Sequence, residues 1–532
     1  MPRLTIDNRP VEVPAGSTVL DAARALGIEI PALCLLPGRP AQTSCMVCVV
    51  RVEGRPFLVP SCATRAEEGM RVESESESVR QARRDALELL LSEHAGDCLA
   101  PCMRACPARM DIPRMIRQIR DGRLREALVT IKTRIALPAV LGRICPAPCE
   151  GACRRRPIDA AVSICLLKRH AADADLASGD PWIPERKPPS GKRVAVVGAG
   201  PAGLAAAWHL ALEGHACTIF DDRERPGGML RYGTPETDLP RDVLDAEIAL
   251  IGRLGAELRM GTRIGRDRTL DDLRREFDAV AIAAGEQKGG NPFGLAQAAS
   301  GIQADAATFA TSVPGVFAGG NALRPQQLAI RAVAHGLGMA VSIGQHLTGR
   351  PVTGEPKAFS SVLTRLAPEE QAQLRVGVPG GARIEPAGGA AAGFSGAEAA
   401  AEALRCLHCD CRKLEGCLLK RWAERLGARP GRYGGTRRTV ERHLHPAGVV
   451  FEPGKCISCG ICIRIAAEAK EPLGLAFIGR GFNVRVGVPF GGTIAEGLTR
   501  AAAECVKACP TGAMAFIEDR DGGQAGKTAY GV

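Results

Sequence analysis

A chain of 532 residues with 45% hydrophobic content is long enough to bury several cores, which predicts three to five domains rather than one. It has no run of about 18 uncharged apolar residues, and the opening MPRLTIDNRP lacks the apolar stretch of a secretion signal, so the expectation is a soluble cytoplasmic protein without membrane insertion. The formal net charge of +11 invites a nucleic-acid reading, but aromatic residues make up only 4% of the chain and offer few surfaces on which bases could stack.

Twenty-one cysteines are present. In a reducing cytosol such density argues for metal or cluster ligation over disulfides. All but Cys217 fall in short-spaced groups. The first is Cys34, Cys45, Cys48 and Cys62, with gaps of ten, two and thirteen residues. That spacing wraps a loop around one side of a metal centre and closes it with a distant thiolate, the plan of a plant-type [2Fe-2S] site. Zinc more usually takes two close CxxC-type pairs. Upstream, RLTIDNRPVEVPAGSTVLDAARALGIEI reads as a hairpin followed by a helix that starts at Ser17 or Thr18. The segment resembles the N-terminal ferredoxin domain of the large iron-sulfur subunit of complex I and of iron hydrogenases.

VESESESV then reads as a solvated connector, and RQARRDALELLLSEH as a helix. HAGDCLAPCMRACP follows, with Cys98, Cys102 and Cys106 at x3 spacing, answered by Cys145, Cys149 and Cys153 and later by Cys165. Seven cysteines exceed one centre and predict two [4Fe-4S] clusters in a small helical domain. The stretch from Cys98 to about Asp173 resembles the N-terminal domain of the glutamate synthase small subunit and of dihydropyrimidine dehydrogenase. The resemblance implies that Cys98, Cys102 and Cys153 serve one cluster and Cys106, Cys145 and Cys149 the other, each lacking one ligand. Complex I places a cluster histidine at the same His-x3-Cys spacing as His94, which otherwise reads as a helix-end cap or a solvated side chain. Cys165 is the candidate for the second vacancy; its alternative is a buried core thiol.

After the proline-rich linker DADLASGDPWIPERKPPSGKR comes RVAVVGAGPAGLAAAWHLALEGHACTIFDD, a buried strand, a turn containing Gly198, Gly200, Pro201, Ala202 and Gly203, a helix, and a second strand ending at Asp221. The glycines permit a tight turn and close approach to a pyrophosphate at the helix N-terminus, and the acid suits a ribose hydroxyl. The fingerprint alone leaves FAD and NAD open. Gly227, Gly228, Met229 and Leu230 lie in RPGGMLRYGTP, which resembles a flavin-contacting segment of the glutamate synthase small-subunit type. Gly319, Gly320 and Asn321 lie in a stretch resembling that fold's closing half, with asparagine where most relatives have aspartate. FAD is therefore the expected cofactor. Relatives insert a nicotinamide domain between the two halves, on the order of 100 residues; here 32 positions separate Gly285 from Phe317, and no other Gly-x-Gly-x-x-Gly occurs. The expectation is that this chain has no nicotinamide site.

The Pro/Gly/Ala-rich stretch 349–396 reads as a wrapping or linking segment. It delivers Cys406, Cys409, Cys411 and Cys417, four thiols within twelve residues that suit zinc or a [4Fe-4S] cluster. In the last domain Cys456, Cys459 and Cys462 with the remote Cys509 before proline have the arrangement of one [4Fe-4S] centre, leaving Cys505 spare; the pattern again resembles the complex I subunit.

The fold class expected is multidomain α/β and α+β, in seven segments. These are a β-grasp [2Fe-2S] ferredoxin (1–80), a helical two-cluster domain (81–175), a linker (176–191), a Rossmann-like FAD domain (192–349), a second linker (350–396), a Cys-rich extension (397–435) and a [4Fe-4S] ferredoxin-like domain (436–532). Thiolates on cluster cores would remove roughly nine of the positive charges and a flavin pyrophosphate about two more, so the basic balance offsets buried cofactor charge. No acid-base or nucleophilic constellation points to substrate chemistry. The resemblances imply an electron-transferring subunit carrying FAD, one [2Fe-2S] and three to four [4Fe-4S] clusters. Its implied partners are ferredoxin or an NADH-binding flavoprotein, and a molybdenum, tungsten, formate dehydrogenase or hydrogenase catalytic subunit. A self-contained flavin reductase and a non-enzymatic redox scaffold or sensor are the other readings.

Overall fold

The structure is a computed structural model, and it describes residues 1–286, 291–325 and 328–517. The chain forms two compact units, one made of Met1–Ala100, Ala358–Gly377 and His408–Val532, the other of Pro101–Lys357 and Val378–Leu407. The stretches 350–396 and 397–435 are divided between the two units.

In the first unit the opening hairpin pairs Arg3–Ile6 with Arg9–Glu12 through a turn in which Asp7 and Asn8 both have positive φ, the conformation that matches the twist of paired strands. Arg71–Glu73 runs parallel to the first strand, and Val49–Val52 and Val59–Pro60 extend the sheet antiparallel. Thr18 caps the helix Val19–Ala25 with a reciprocal Asp21 capping box, as the sequence predicts. Leu4, Ile6, Leu20, Val50 and Val72 fill the space between them. The VESESESV stretch departs from its reading as a solvated connector. Its first residues belong to the sheet, and Ser74 is fully buried because its N–H donates to Asp7 Oδ1 at 2.7 Å and its hydroxyl to Asp7 Oδ2 at 2.5 Å.

The last domain, described as far as residue 517, is built on the antiparallel strands His443–His445, Val449–Phe451 and Met514–Phe516 with the helices Ile461–Glu468 and Ala502–Ala508. It is not a separate module at the end of the chain. Leu33, Val47, Leu87, Leu91, Trp422, Val449, Ile465 and Met514 belong to one hydrophobic core, joining the N-terminal sites, the helix Glu77–Ser92 and the C-terminal fold.

In the second unit five parallel strands, in the order Val316–Ala318, Ala279–Ile282, Arg193–Val197, Ala216–Phe220 and Glu257–Arg259, form one doubly wound sheet. Between the two strands at its closing end the described residues add only a two-residue hairpin, Gln297–Ala298 with Gly301–Ile302, and residues 287–290 of this connection lie outside the description. The sheet is therefore one Rossmann-like unit with no second parallel sheet among the described residues. Helices Ile112–Arg120, Leu124–Lys132, Pro138–Ile144 and Ile164–Leu176 form the helical domain. Residues 379–394 wrap it as expected: Arg155 donates to Pro379 O at 2.7 Å, Arg169 to Ala390 O at 2.8 Å, and His170 Nδ1 lies 2.9 Å from Phe394 O.

Glu247, fully buried on the helix Arg241–Arg253, accepts from Ala139 N at 3.0 Å and Val140 N at 2.9 Å and so satisfies the N-terminus of Pro138–Ile144, the helix that leads to Cys145. Glu247→Ala leaves both donors unmet in an apolar site and should cost about 1–3 kcal/mol. A lowered thermal transition of the purified chain is the expected readout.

Candidate metal centres and dinucleotide site

Cys34, Cys45, Cys48 and Cys62 are all buried where the loop after Ile30 meets the grasp sheet. The Cys48 and Cys62 sulfurs lie 3.3 Å apart, and Met46 is held at φ 53°, so the loop turns Cys45 and Cys48 inward. Contact between paired sulfurs eases Cys34 and Cys48 toward the thiolate while Cys45 and Cys62 are pushed up.

Cys456, Cys459, Cys462 and Cys509 line one cavity with Phe451, Ile461 and Met514. Gly460, at φ 74°, caps the helix Ile461–Glu468 and lets the loop fold back over the cavity. Cys505 is fully buried elsewhere, its sulfur 3.8 Å from Cys462 O, a core thiol pushed up to about 12 by burial.

A second cavity is lined by Cys106, Cys145, Cys149 and Cys165, and Lys168 reaches its wall. Cys165 is therefore brought to the three thiols that lacked a fourth. Cys145 and Cys149 hold its thiol well below the ordinary value by hydrogen bonding. Lys168, a residue that helical spacing did not single out, donates to Leu141 O at 3.1 Å and lies 3.8 Å from Cys165 Sγ. Burial opposes its charge, yet Cys165, Cys145 and Cys149 hold it above the usual lysine value.

The remaining thiols regroup. Cys98 belongs to the first unit, and Cys102 and Cys153 to the second. The short helix carrying Cys102, Pro101–Ala105, packs on Pro148–Gly151 just ahead of Cys153, and Arg155 donates to Arg405 O beside Cys406. Cys409, Cys411 and Cys417 lie in the first unit, where Cys411 N donates to Cys98 O at 3.1 Å. Cys98 and Cys411 are each pushed up to about 11 by burial, and each feels a neighbouring thiol. Within the first unit the chain between residues 358 and 377 pins the Cys98 loop. Cys98 N donates to Ser361 O at 3.2 Å, and Asp97 Oδ1 accepts from Leu363 N at 3.0 Å. His94 is held by burial at about 4, hence neutral.

Among the described residues no three His, Cys, Asp or Glu side chains converge on one single-ion position. Thiols ringing a cavity suit a core of several irons better than a zinc ion, which draws its ligands to about 2.3 Å.

At the dinucleotide site three loops meet beyond the C-terminal ends of the parallel strands. Gly198, at φ 110°, leaves no room for a side chain against the Ala283 carbonyl, and a methyl group on Gly203 would collide with the Gly198 carbonyl. Gly227 N donates to Ala199 O at 2.8 Å, which lays the Gly227–Gly228 turn beside Gly200, and Gly319 N donates to Ile282 O at 2.9 Å. Gly320 stands close to Ala202, and the Gly319–Gly320–Asn321 turn is tied down by His335, whose Nδ1 accepts from Gly320 N at 3.0 Å. His335, kept neutral at about 4 by burial, is a site residue that no spacing rule would find. Asp221 sits at the strand end as expected, with one oxygen accepting from Ala199 N at 2.6 Å and the other from Arg223 N at 2.9 Å. Leu230 is buried and Met229 is 67% exposed; Gly285 follows the strand Ala279–Ile282. Gly198, Gly200 and Gly203 thus form the turn into the N-terminus of Pro201–Leu212, where backbone N–H groups suit a phosphate.

Residues 2–77 match the family described as a 2Fe-2S iron-sulfur cluster binding domain. Residues 66–180 match domain II of dihydropyrimidine dehydrogenase, a 4Fe-4S domain, and residues 196–247 an NAD(P)-binding Rossmann-like domain. The chain therefore carries 2Fe-2S and 4Fe-4S domains ahead of a Rossmann-like nucleotide domain. It is 44% identical over 207 residues to the NADP(+)-dependent formate dehydrogenase subunit beta of Moorella thermoacetica, covering 35% of this chain and 29% of that one. It is 43% identical over 198 residues to the NADPH-Fe(3+) oxidoreductase subunit beta of Geobacter sulfurreducens (37% and 29%). With the glutamate synthase [NADPH] small chain of Bacillus subtilis it shares 40% identity over 185 residues (34% and 37%). The chain thus spans well under half the length of each of these relatives.

Two contrasts test these assignments. A β-carbon on Gly200 would meet nothing closer than Gly228 Cα at 4.0 Å, so Gly200→Ala should keep the fold yet weaken nucleotide retention on the order of tenfold, about 1.4 kcal/mol; Gly203→Ala should lower thermal stability as well. Cys509→Ser should remove one four-iron EPR signal, whereas Cys505→Ser should leave every signal in place. Bound flavin, melting curves and EPR of the reduced chain report all four variants.

Proposed function

We propose that the chain is an electron-transferring subunit of a multisubunit oxidoreductase, carrying FAD in the Rossmann-like domain, one [2Fe-2S] cluster and four [4Fe-4S] clusters. The observation that carries this reading is the succession of thiol groups inside one core. Cys34 of the first group, Cys417 and Cys459 of the C-terminal cavity belong to one buried core, and Cys456, Cys462 and Cys509 pack against it. Sites that share a core suit single-electron hopping.

Cys34, Cys45, Cys48 and Cys62 would hold the [2Fe-2S] core; Cys106, Cys145, Cys149 and Cys165 one [4Fe-4S] core, and Cys456, Cys459, Cys462 and Cys509 another. A bound flavin supplies the exchange between two-electron and one-electron chemistry. Gly198, Gly200 and Gly203 would take its pyrophosphate, Asp221 the ribose, and Gly227 to Leu230 and Gly319 to Asn321 the rest of the dinucleotide. Electrons would enter from ferredoxin or from a partner that binds NADH, and leave to a catalytic partner. The beta-subunit names of two relatives support a subunit role, and one of them is a formate dehydrogenase subunit.

A second reading has one observation behind it: the Rossmann-like match is to an NAD(P)-binding description. On that reading the single dinucleotide fold would take the nicotinamide itself. The two are separated by cofactor content and by stopped-flow mixing. The anaerobically prepared chain should contain one FAD and about 18 irons, and NADH or NADPH alone should not bleach the flavin, while dithionite should. Rapid bleaching by either nucleotide without a partner, or a flavin-free chain that binds NADPH tightly, would favour the second reading.

A further inference from the structure

The helix Ile164–Leu176 carries Cys165 in its first turn, and Lys168 stands three residues later on the same face. Lys168 is only 4% exposed, so its ammonium has left water and needs partners inside the protein. Two are in place. Its Nζ donates to Leu141 O at 3.1 Å and lies 3.8 Å from Cys165 Sγ, within hydrogen-bond reach of sulfur. Leu141 O also accepts from Cys145 N at 3.2 Å, so one carbonyl fixes both the ammonium and the start of the Cys145 loop. The charge is thereby held in the wall of the cavity that Cys106, Cys145, Cys149 and Cys165 line, beside the apolar side chains of Met110, Ile112 and Ile164.

The carboxylates on the adjoining segments are already matched. Glu150 accepts from Cys165 N at 2.9 Å and pairs with Arg383 at 2.8 Å. Asp173, further along the same helix as Lys168, pairs with Arg143 at 2.7 Å and Arg169 at 3.0 Å. Among the described residues no carboxylate stands within ion-pair distance of Lys168, whose polar contacts are Leu141 O and Cys165 Sγ. Its countercharge is therefore the sulfur set itself.

We propose that Lys168 sets the reduction potential of this one centre: its buried ammonium makes the four-iron core that Cys106, Cys145, Cys149 and Cys165 would hold easier to reduce than a neutral side chain there would. The proposal rests on the iron-sulfur reading above. One-electron reduction by an external donor such as dithionite adds a negative charge to a core that four thiolates already make anionic. A fixed cation against an apolar wall favours the more negative state, and an N–H aimed at a ligand sulfur acts in the same direction. Lys168 keeps its proton in both states, so no proton transfer accompanies the electron.

Redox titration of the full chain, loaded anaerobically with iron and sulfide and followed by EPR, tests this. Lys168→Met and Lys168→Gln, the second keeping a donor for Leu141 O, should retain their iron, and each should move one four-iron signal to a more negative midpoint while the other signals hold theirs. Lys168→Arg, which keeps the charge, should leave that signal near its native midpoint. Cys165→Ser identifies the signal that belongs to the cavity and should alter the same one. Unchanged midpoints in both neutral variants, an equal shift of every signal, or loss of that centre's iron from both neutral variants would overturn the proposal and leave the electron-transfer reading intact. Native signals throughout in Cys165→Ser would overturn the cluster assignment, and the proposal with it.

Discussion

Burying a thiolate in an apolar core costs several kcal/mol unless cations, N–H donors or a metal offset its charge, and the first unit alone buries Cys34, Cys45, Cys48, Cys62, Cys98, Cys411, Cys417 and Cys459. Burial pushes most of these thiols up where no partner sulfur eases them. The same constraint explains the fully buried lysines. Lys168 sits at one thiol cavity, where Cys165, Cys145 and Cys149 hold it above the usual lysine value, and Lys455 is held up chiefly by Glu452 and then by Cys411.

Because charge must be shared out in this way, the N-terminal and C-terminal ferredoxin-like parts do not stand apart. They share a core, and outside it Arg39 grips Glu468 with two bonds of 2.7 and 2.8 Å while Arg464 donates to Pro40 O at 2.6 Å. Those contacts are solvent-exposed and contribute little to stability. Their effect is positional: they fix the Cys34 loop against the helix that follows Cys459. In the second unit the corresponding task falls to Glu247, which ties the helix before Cys145 to the dinucleotide domain.

Much of this was legible in the sequence where the signal was local. Thr18 and Asp21 spell out a capping box, Gly198 to Gly203 a phosphate turn, and Cys456 to Cys462 a loop around a cavity. What could not be read was closure over long distances. Cys411 and Cys417 sit in a run with Cys406, and nothing in that run tells that the loop of Ser361 and Leu363 holds Cys98 beside Cys411. Ser74 looked solvated because its partner, Asp7, is 67 residues away. His335, Lys168 and Lys455 each act through a tertiary contact that leaves no periodic mark.

On the proposed function the thiol groups of the first unit would form one relay, beginning at Cys34 and passing through the cavity of Cys459 and Cys509. The most direct measurement is the spin relaxation of the [2Fe-2S] signal as the potential is lowered stepwise under anaerobic conditions. If the relay exists, that signal should relax faster or split once the adjacent four-iron cluster is reduced, and Cys459→Ser should remove the effect while leaving the [2Fe-2S] signal itself. A [2Fe-2S] signal whose relaxation is the same at every potential, in a chain that holds both clusters, would contradict it.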